Sequence, residues 1–330
     1  MIIINIVILY ILSAFNFQNQ DYLNYFNTYK NPLGAKHSEV LFKYIMFFFK
    51  KIGFDYSGFL VVIFAFEFLV LYFFIKKHKI NIFYLLIFTM YPFFLDVVQV
   101  RHFLAQVILL LCIFSVSTYK KNIGYIICSL IQGGFIFFVP LILWKKLKVN
   151  LRKIIIILIL ETIIIAFFIE KILLLLSKLV NNHFSRKILI YLEAFKTRNL
   201  MGTRHYYFII AIMISIFVLY SISLAKNNKK NKNLKKILNL KNFYTYYILI
   251  IPFMLFDSVV ADRILRILFF TSIFTIGYIE NFLIRHKYFF RMSVLLFMLA
   301  ILIVAVFVKN YEEIVEIILQ NNYLFKRGKI

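Results

Sequence analysis

Long apolar runs separated by short polar connections repeat from one end of the 330-residue chain to the other. A helix needs roughly 20 apolar residues to cross a bilayer. Runs of about that length lie near 1–16, 54–75, 81–96, 102–118, 154–170, 206–225, 243–257, 264–284 and 292–308, and they predict nine spanning helices. Hydrocarbon offers no water to the backbone, so each span must close its own hydrogen bonds as a helix. Nothing between the runs is long enough to fold apart from them. Residues 1–330 therefore read as a single polytopic domain, an all-α integral membrane helix bundle.

The connections fall into two sets. KKHK at 76–79, YKK at 119–121, KKLKVNLRK at 145–153, the run 226–241 and RHKYFFR at 285–291 are strongly basic and contain no Asp or Glu. The others carry Asp21, Glu39, Asp55, Asp96, Glu193, Asp257 and Asp262. Lys and Arg collect in cytoplasmic loops, which places the basic set and the N-terminus inside and the C-terminus outside. Residues 122–144 break the alternation, because both flanks are basic. A single crossing there would leave Lys120–Lys121 or Lys145–Lys153 outside. The run is interrupted by Gln132-Gly133-Gly134, with Pro140 beyond. A polar residue beside two glycines breaks a helix readily. The expectation is a re-entrant hairpin that enters and leaves from the cytoplasm, allowed at membrane depth where protein or a wet cavity covers it. Of the outer segments, 17–53 ends in EVLFKYIMFFFKK, suited to lie along the membrane surface as an amphipathic helix. The other long one is the polar loop 171–205.

Composition agrees with this organisation. The chain is 63% hydrophobic with a mean hydropathy of +0.86, against about 45–50% apolar in soluble domains. A formal charge of +25 could suggest nucleic acid, but the basic residues lie between apolar runs and not on one soluble face. Topology accounts for much of the charge. Richness in Lys, Asn, Ile, Phe and Tyr together points to a base-composition bias in the gene. Cys112 and Cys128 fall inside apolar runs, which argues against a disulfide framework or a thiolate metal site. The opening MIIINIVILYILSAF has no basic residue before its core and reads as a retained first helix, not a cleaved signal. Walker A, G-x-G-x-x-G, H-E-x-x-H and G-x-S-x-G patterns are absent, so no cofactor or metal is expected.

Ionisable groups at membrane depth are costly and mark function. Asp96 and Arg101 stand at the outer ends of adjacent spans in FFLDVVQVRHFLAQ, with Gln99 and His102 beside them. Asp257, Asp262, Arg263 and Arg266 form a second group in FDSVVADRILRILFF, where Arg263 and Arg266 share a helix face by their spacing. Asp21, Tyr22 and Tyr25 in QDYLNYFNTY, followed by Glu39, make a third. Arg186, Arg198, Arg204 and His205 in the large outer loop make a fourth. Arginines on one membrane face suit a phosphorylated ligand, since guanidinium is always charged and presents a planar fork to phosphate oxygens. The plainer reading of any one of them is an arginine snorkelling to the headgroups. Glu67 and Glu161 lie within spans and either pair inside the bundle or mark a polar path.

Taken in order, an outer DYxxY (Asp21 to Tyr25), an acid opening an amphipathic stretch (Glu39), the sequence FxxxxxQxRHFLAQ around Arg101, a Lys-Lys turn and a short broken apolar run resemble the EpsG-like and Wzy-type polysaccharide polymerases of bacteria. The likeness is best over residues 1–145, with Asp262-Arg263 matching a late arginine. Such proteins often carry His where this chain has Gln132. The resemblance implies glycosyl transfer at the outer face of the bacterial inner (plasma) membrane. A saccharide on undecaprenyl pyrophosphate would move to a hydroxyl of a new lipid-linked repeat unit of O-antigen, lipopolysaccharide or capsule. Arg101, Arg263 and Arg266 would hold the pyrophosphate. Asp21, Asp96 or Asp262 would act as base. Tyr22, Tyr25, Glu39, Gln132, Arg198, Arg204 and His205 are candidate sugar or acceptor contacts. Partners would be undecaprenyl-pyrophosphate-linked oligosaccharides, membrane lipids and a chain-length regulator, with no nucleic acid. A lipid-linked oligosaccharide flippase, or another membrane transferase such as an O-antigen ligase, is the alternative.

Overall fold

A computed structural model of the chain describes residues 1–16, 19, 21–34, 39–144, 201–226, 234–255 and 258–283, with isolated residues at 156, 160–162, 171, 290–291, 294, 318–320 and 322. Apart from those isolated positions, the spans expected at 154–170 and 292–308 lie outside the described residues, as does most of the loop 171–205. Among the described residues every element is a helix: α1 (Ile2–Ala14), α2 (Tyr22–Lys30), α3 (Val40–Lys51), α4 (Tyr56–His78), α5 (Ile82–Met90), α6 (Phe93–Val98), α7 (Val100–Phe114), α8 (Thr118–Ile131), α9 (Leu141–Trp144), α10 (Met201–Lys226), α11 (Leu234–Ile250) and α12 (Ser258–Glu280). Two 3-10 turns, Gly133–Phe138 and Ile251–Leu255, follow α8 and α11.

Local chemistry sets the helix ends. Asp55 caps α4 by accepting from the Gly58 amide at 2.7 Å. That helix stops at Lys79, in the left-handed region at φ 52°, with Lys76, Lys77 and His78 in its last turn. Asn81 then caps α5 through the Phe83 amide at 3.0 Å. The single span expected over 81–96 is in fact two helices. Pro92 donates no amide hydrogen bond, and the residue before a proline is driven to extended backbone; Tyr91 has φ −165° and ψ 133°. The helix expected over 243–257 begins instead at Leu234, inside the basic run, and ends at Ile250. At Gln132 the α8 helix breaks, and both the following 3-10 turn and α9 pack back against α8 and α11.

Two helices, Tyr56–His78 and His205–Lys226, are long and apolar enough to cross a membrane by length and composition. They turn large apolar side chains outward. Phe66, Leu69 and Phe73 of α4 and Ile209, Met213, Ile216 and Tyr220 of α10 are exposed in stripes at helical spacing, as in proteins whose surrounding solvent is lipid. Helices α7 and α12 are central and buried along most of their length. The α7–α8 approach depends on Gly124, where an added Cβ would fall 1.8 Å from Cys112 Sγ.

The bundle has two chemically distinct ends. One collects the start of α1, Lys76–Lys79, Lys121 and the start of α11, where Lys121 Nζ donates to Asn239 Oδ1 at 2.9 Å. The other holds α2, α3, the Asp96–Arg101 connection and the start of α12. Residues 318–320 and 322 reach this second end, where Asn16 donates to the Ile318 carbonyl and Asn322 to that of Ile11. The amphipathic segment forms α3 as expected, with Phe42 and Met46 buried and Tyr44, Phe47 and Phe48 exposed.

Candidate functional site

The acids and arginines singled out in the sequence meet at the second end, brought there by the packing of α12 on α7. Arg266 lies deepest, 1% exposed. Its Nη1 donates to the Leu95 carbonyl at 3.0 Å and lies 3.5 Å from Asp96 Oδ1. Its Nη2 donates to Gln99 Oε1 at 2.8 Å and pairs with Asp262 Oδ2, one turn away on α12, at 3.2 Å. The guanidinium thus ties α12 to the connection between α6 and α7 and is neutralised by two carboxylates. Burying so much charge is tolerable only because both signs are present and mutually bonded.

Arg101, at the start of α7, reaches the other way. It forms an ion pair with Glu39, which stands just before α3, and its guanidinium lies over the Tyr25 ring, 5.6 Å from the centroid. Glu39 occupies the N-cap position of α3 but makes no side-chain cap. Its second oxygen accepts instead from the Gly133 amide at 3.4 Å. The break after α8 is therefore joined to the arginine end through Glu39. Tyr25 sits at the crossing of these groups. Burial pushes its phenol up to about 12, with Asp21 and Glu39 raising it and Arg101 and Arg263 opposing. Four segments far apart in sequence act on this one hydroxyl.

Arg263 is half-buried, and its buried Nε has no hydrogen-bond partner among the described residues. The expectation that Arg263 and Arg266 share one face is met only in part. They lie on adjoining turns of α12, but Arg266 is buried in protein bonds and Arg263 is not. Asp21 stands before α2 without capping it, and its carboxylate makes no hydrogen bond or ion pair with a described residue. Tyr22 stacks on Phe26 and meets Tyr56 edge-on at 5.1 Å. Beside it, between α1, α2 and α4, a cavity of about 560 Å³ is walled in part by Phe15, Phe54, Asp55 and Ser57. Gln132 is buried at the helix break, its Oε1 without a partner among the described residues.

This constellation can be set beside known proteins. The profile of the EpsG family matches residues 1–322. The chain belongs to the EpsG family. Neither a curated protein nor a solved structure matches it. Membership makes the chain a membrane protein of polysaccharide biosynthesis, in a family of Wzy-like polymerases, and agrees with the resemblance carried by Asp21 to Tyr25, Glu39 and Arg101.

Within this EpsG-family chain the structure gathers Asp21, Tyr22, Tyr25, Glu39, Asp96, Arg101, Gln132, Asp262, Arg263 and Arg266 at one end. His205 is exposed at the start of α10, whose Arg204 side chain is not described, and Arg198 and Asp257 lie outside the described residues. Three buried polar groups lie nearby, of which sequence reasoning noted Gln99 and His102 only as neighbours of Asp96 and Arg101, and Gln106 only as part of a pattern, giving none of them a role. Gln99 supplies the shortest bond to Arg266. His102 is buried with neither ring nitrogen bonded to a described residue, its ring edge-on to Phe135 at 5.4 Å. Gln106 lies one turn further into α7, buried beside Asp96. The signal for them was present: Gln99, His102 and Gln106 recur at helical spacing along one face of an otherwise apolar helix.

Proposed function

We propose that this EpsG-family chain is a repeat-unit polymerase, a membrane glycosyltransferase working on undecaprenyl-pyrophosphate-linked oligosaccharides with its arginine end at the outer face of the inner membrane. The observation that carries the reading is the convergence of Arg101, Arg263 and Arg266 with Asp21, Asp96 and Asp262 on one end of the two central helices. In the reaction a hydroxyl of the acceptor repeat unit attacks the anomeric carbon of the donor. The carbon–oxygen bond to pyrophosphate breaks, and the electron pair leaves with the lipid pyrophosphate. The hydroxyl proton passes to a carboxylate.

The three arginines divide this work. Arg263, half-buried and in no ion pair with a described residue, and Arg101, paired with Glu39 and lying over the Tyr25 ring, are available to the leaving pyrophosphate and stabilise its charge as it develops. Arg266, 1% exposed and bonded through both Nη atoms, positions Asp96, Asp262 and Gln99. Asp21, unengaged by any cap or ion pair, is the acid best placed to take the proton. The cavity beside Tyr22 offers aromatic faces and hydroxyl partners to a saccharide. The backbone break at Gln132 then forms the tip of a re-entrant hairpin that closes the site from the membrane side.

Deletion of the gene tests the reading by the length of glycan that remains. The expected product is a lipid A core, or the corresponding carrier, with at most one repeat unit, and restoring the gene returns a ladder of lengths. A bare core with no unit attached would instead indicate a flippase or a ligase. Arg101→Ala and Arg263→Ala are expected to abolish the ladder at normal membrane abundance, while Lys145→Ala leaves it intact. Wild-type ladders from both arginine variants would overturn the site.

A further inference from the structure

At the lysine end a cavity of about 700 Å³ opens between α1, α4 and the first residues of α5. Its chemistry is the reverse of the arginine end. The floor is aliphatic, built from Ile2, Ile3, Ile75 and Ile82. At the rim stand Lys76 and Lys79, both exposed. Among the described residues no acid lines it, and neither lysine forms an ion pair with them. Both cations are placed by the fold. Lys76 lies over the Tyr72 ring at 5.8 Å, and Lys79 is the left-handed residue that ends α4. From the cavity an apolar track continues along α1, where Ile4, Val7 and Ile8 are exposed.

We propose that this cavity is a binding site for one anionic phospholipid, its phosphate headgroup between Lys76 and Lys79 and an acyl chain along α1. The two parts of the site each remove an alternative occupant. A soluble anion would gain nothing from the isoleucine floor or the track along α1. A zwitterionic lipid would bring its ammonium towards two lysines with no carboxylate to receive it. Basic residues beside a membrane helix attract anionic headgroups, and a basic pocket between helices selects them. The assignment does not depend on the polymerase reading, nor on which residues carry out glycosyl transfer.

The purified full-length chain, exchanged into micelles holding equal amounts of phosphatidylglycerol and phosphatidylethanolamine, can be examined by native mass spectrometry. The expected result is retention of one phosphatidylglycerol with roughly tenfold preference, the size two headgroup-facing lysines support. The double variant Lys76→Gln/Lys79→Gln should lose the preference. Lys50→Gln/Lys51→Gln, with the same charge change at the end of α3, should keep it. Ile82→Trp, which fills the floor and leaves both lysines, should also lose the bound lipid, whereas binding to surface charge alone would persist. A millimolar excess of inorganic phosphate should not displace the lipid. Equal retention of the two lipids by the wild type, an unchanged preference in the lysine double variant, or displacement by inorganic phosphate would each overturn the proposal.

Discussion

Replacing Arg266 by Met separates a positioning arginine from a substrate-binding one. Methionine is close in length and apolar, so it fills the space without a guanidinium. The change removes four contacts: those to the Leu95 carbonyl at 3.0 Å, Gln99 at 2.8 Å, Asp262 at 3.2 Å and Asp96 at 3.5 Å. The loss falls mainly on Asp96, which is fully buried and whose Oδ2 already lacks a partner. Asp262 is 13% exposed in its side chain and can turn to water or headgroups. Leaving one buried carboxylate without its countercharge costs about 3–5 kcal/mol. For a chain of this size that corresponds to a fall in melting temperature of the order of 10 °C. The double variant Arg266→Met/Asp96→Asn removes the orphaned charge as well and should melt above Arg266→Met alone. Arg263→Met should melt near the wild type, since Arg263 is half-buried and bonded less. The measurement is thermal denaturation of the purified protein in one fixed detergent, followed by the monomer peak on size exclusion. If Arg266→Met melted with the wild type, or if Arg263→Met fell as far as Arg266→Met, the division of labour among the arginines would be wrong.

Other consequences are as direct. Arg101→Lys keeps the charge but loses the fork, and should slow polymerisation by about one to two decades with an unchanged melting temperature, as read from ladder formation in isolated membranes. Glu39→Gln removes the carboxylate that occupies Arg101; the pair is half-buried, 22% exposed on each side, and contributes about 1 kcal/mol, so the fold should hold while KM for the lipid-linked donor falls. A rise in KM would show that Glu39 helps to bind the donor and does not compete with it. Gly124→Ala drives a Cβ into Cys112 Sγ and should destabilise by about 1–3 kcal/mol. Cys112→Ala should recover most of that loss, and failure to do so would place the strain elsewhere. Cysteines at Lys120 and Lys146 should both resist an impermeant thiol reagent added outside intact spheroplasts, and labelling of either would replace the hairpin with a single crossing.

Much of the architecture was legible in the sequence because each part depends on a short stretch of chain. Whether a segment enters lipid is decided by its own hydrophobicity and length, which is why α1, α4, α7 and α10 fall close to the apolar runs that predicted them. The amphipathic α3 and the break at Gln132 are local for the same reason. The Asp262–Arg266 pair is written in its spacing of one helical turn. Even the division of α5 from α6 was encoded, by Pro92, although an unbroken apolar run hid it.

What the tertiary structure alone decided is which helices meet. Arg266 and Asp96 are 170 residues apart, and Glu39 and Arg101 are 62 apart. In lipid every apolar helix face is about equally content against tails, so hydrophobicity cannot choose a partner. Close packing at small residues and bonds between buried polar groups make that choice. Gly124 against Cys112 and Gly277 against Ile80 and Tyr84 are such close approaches, and Arg266 with Asp96 and Gln99, like Tyr244 with Thr275, is such a polar bond. The roles of the arginines followed from the same cause. Three identical charges stood in the sequence pattern, and only the burial imposed by α7 and α12 separated Arg266, 1% exposed, from the half-buried Arg101 and Arg263.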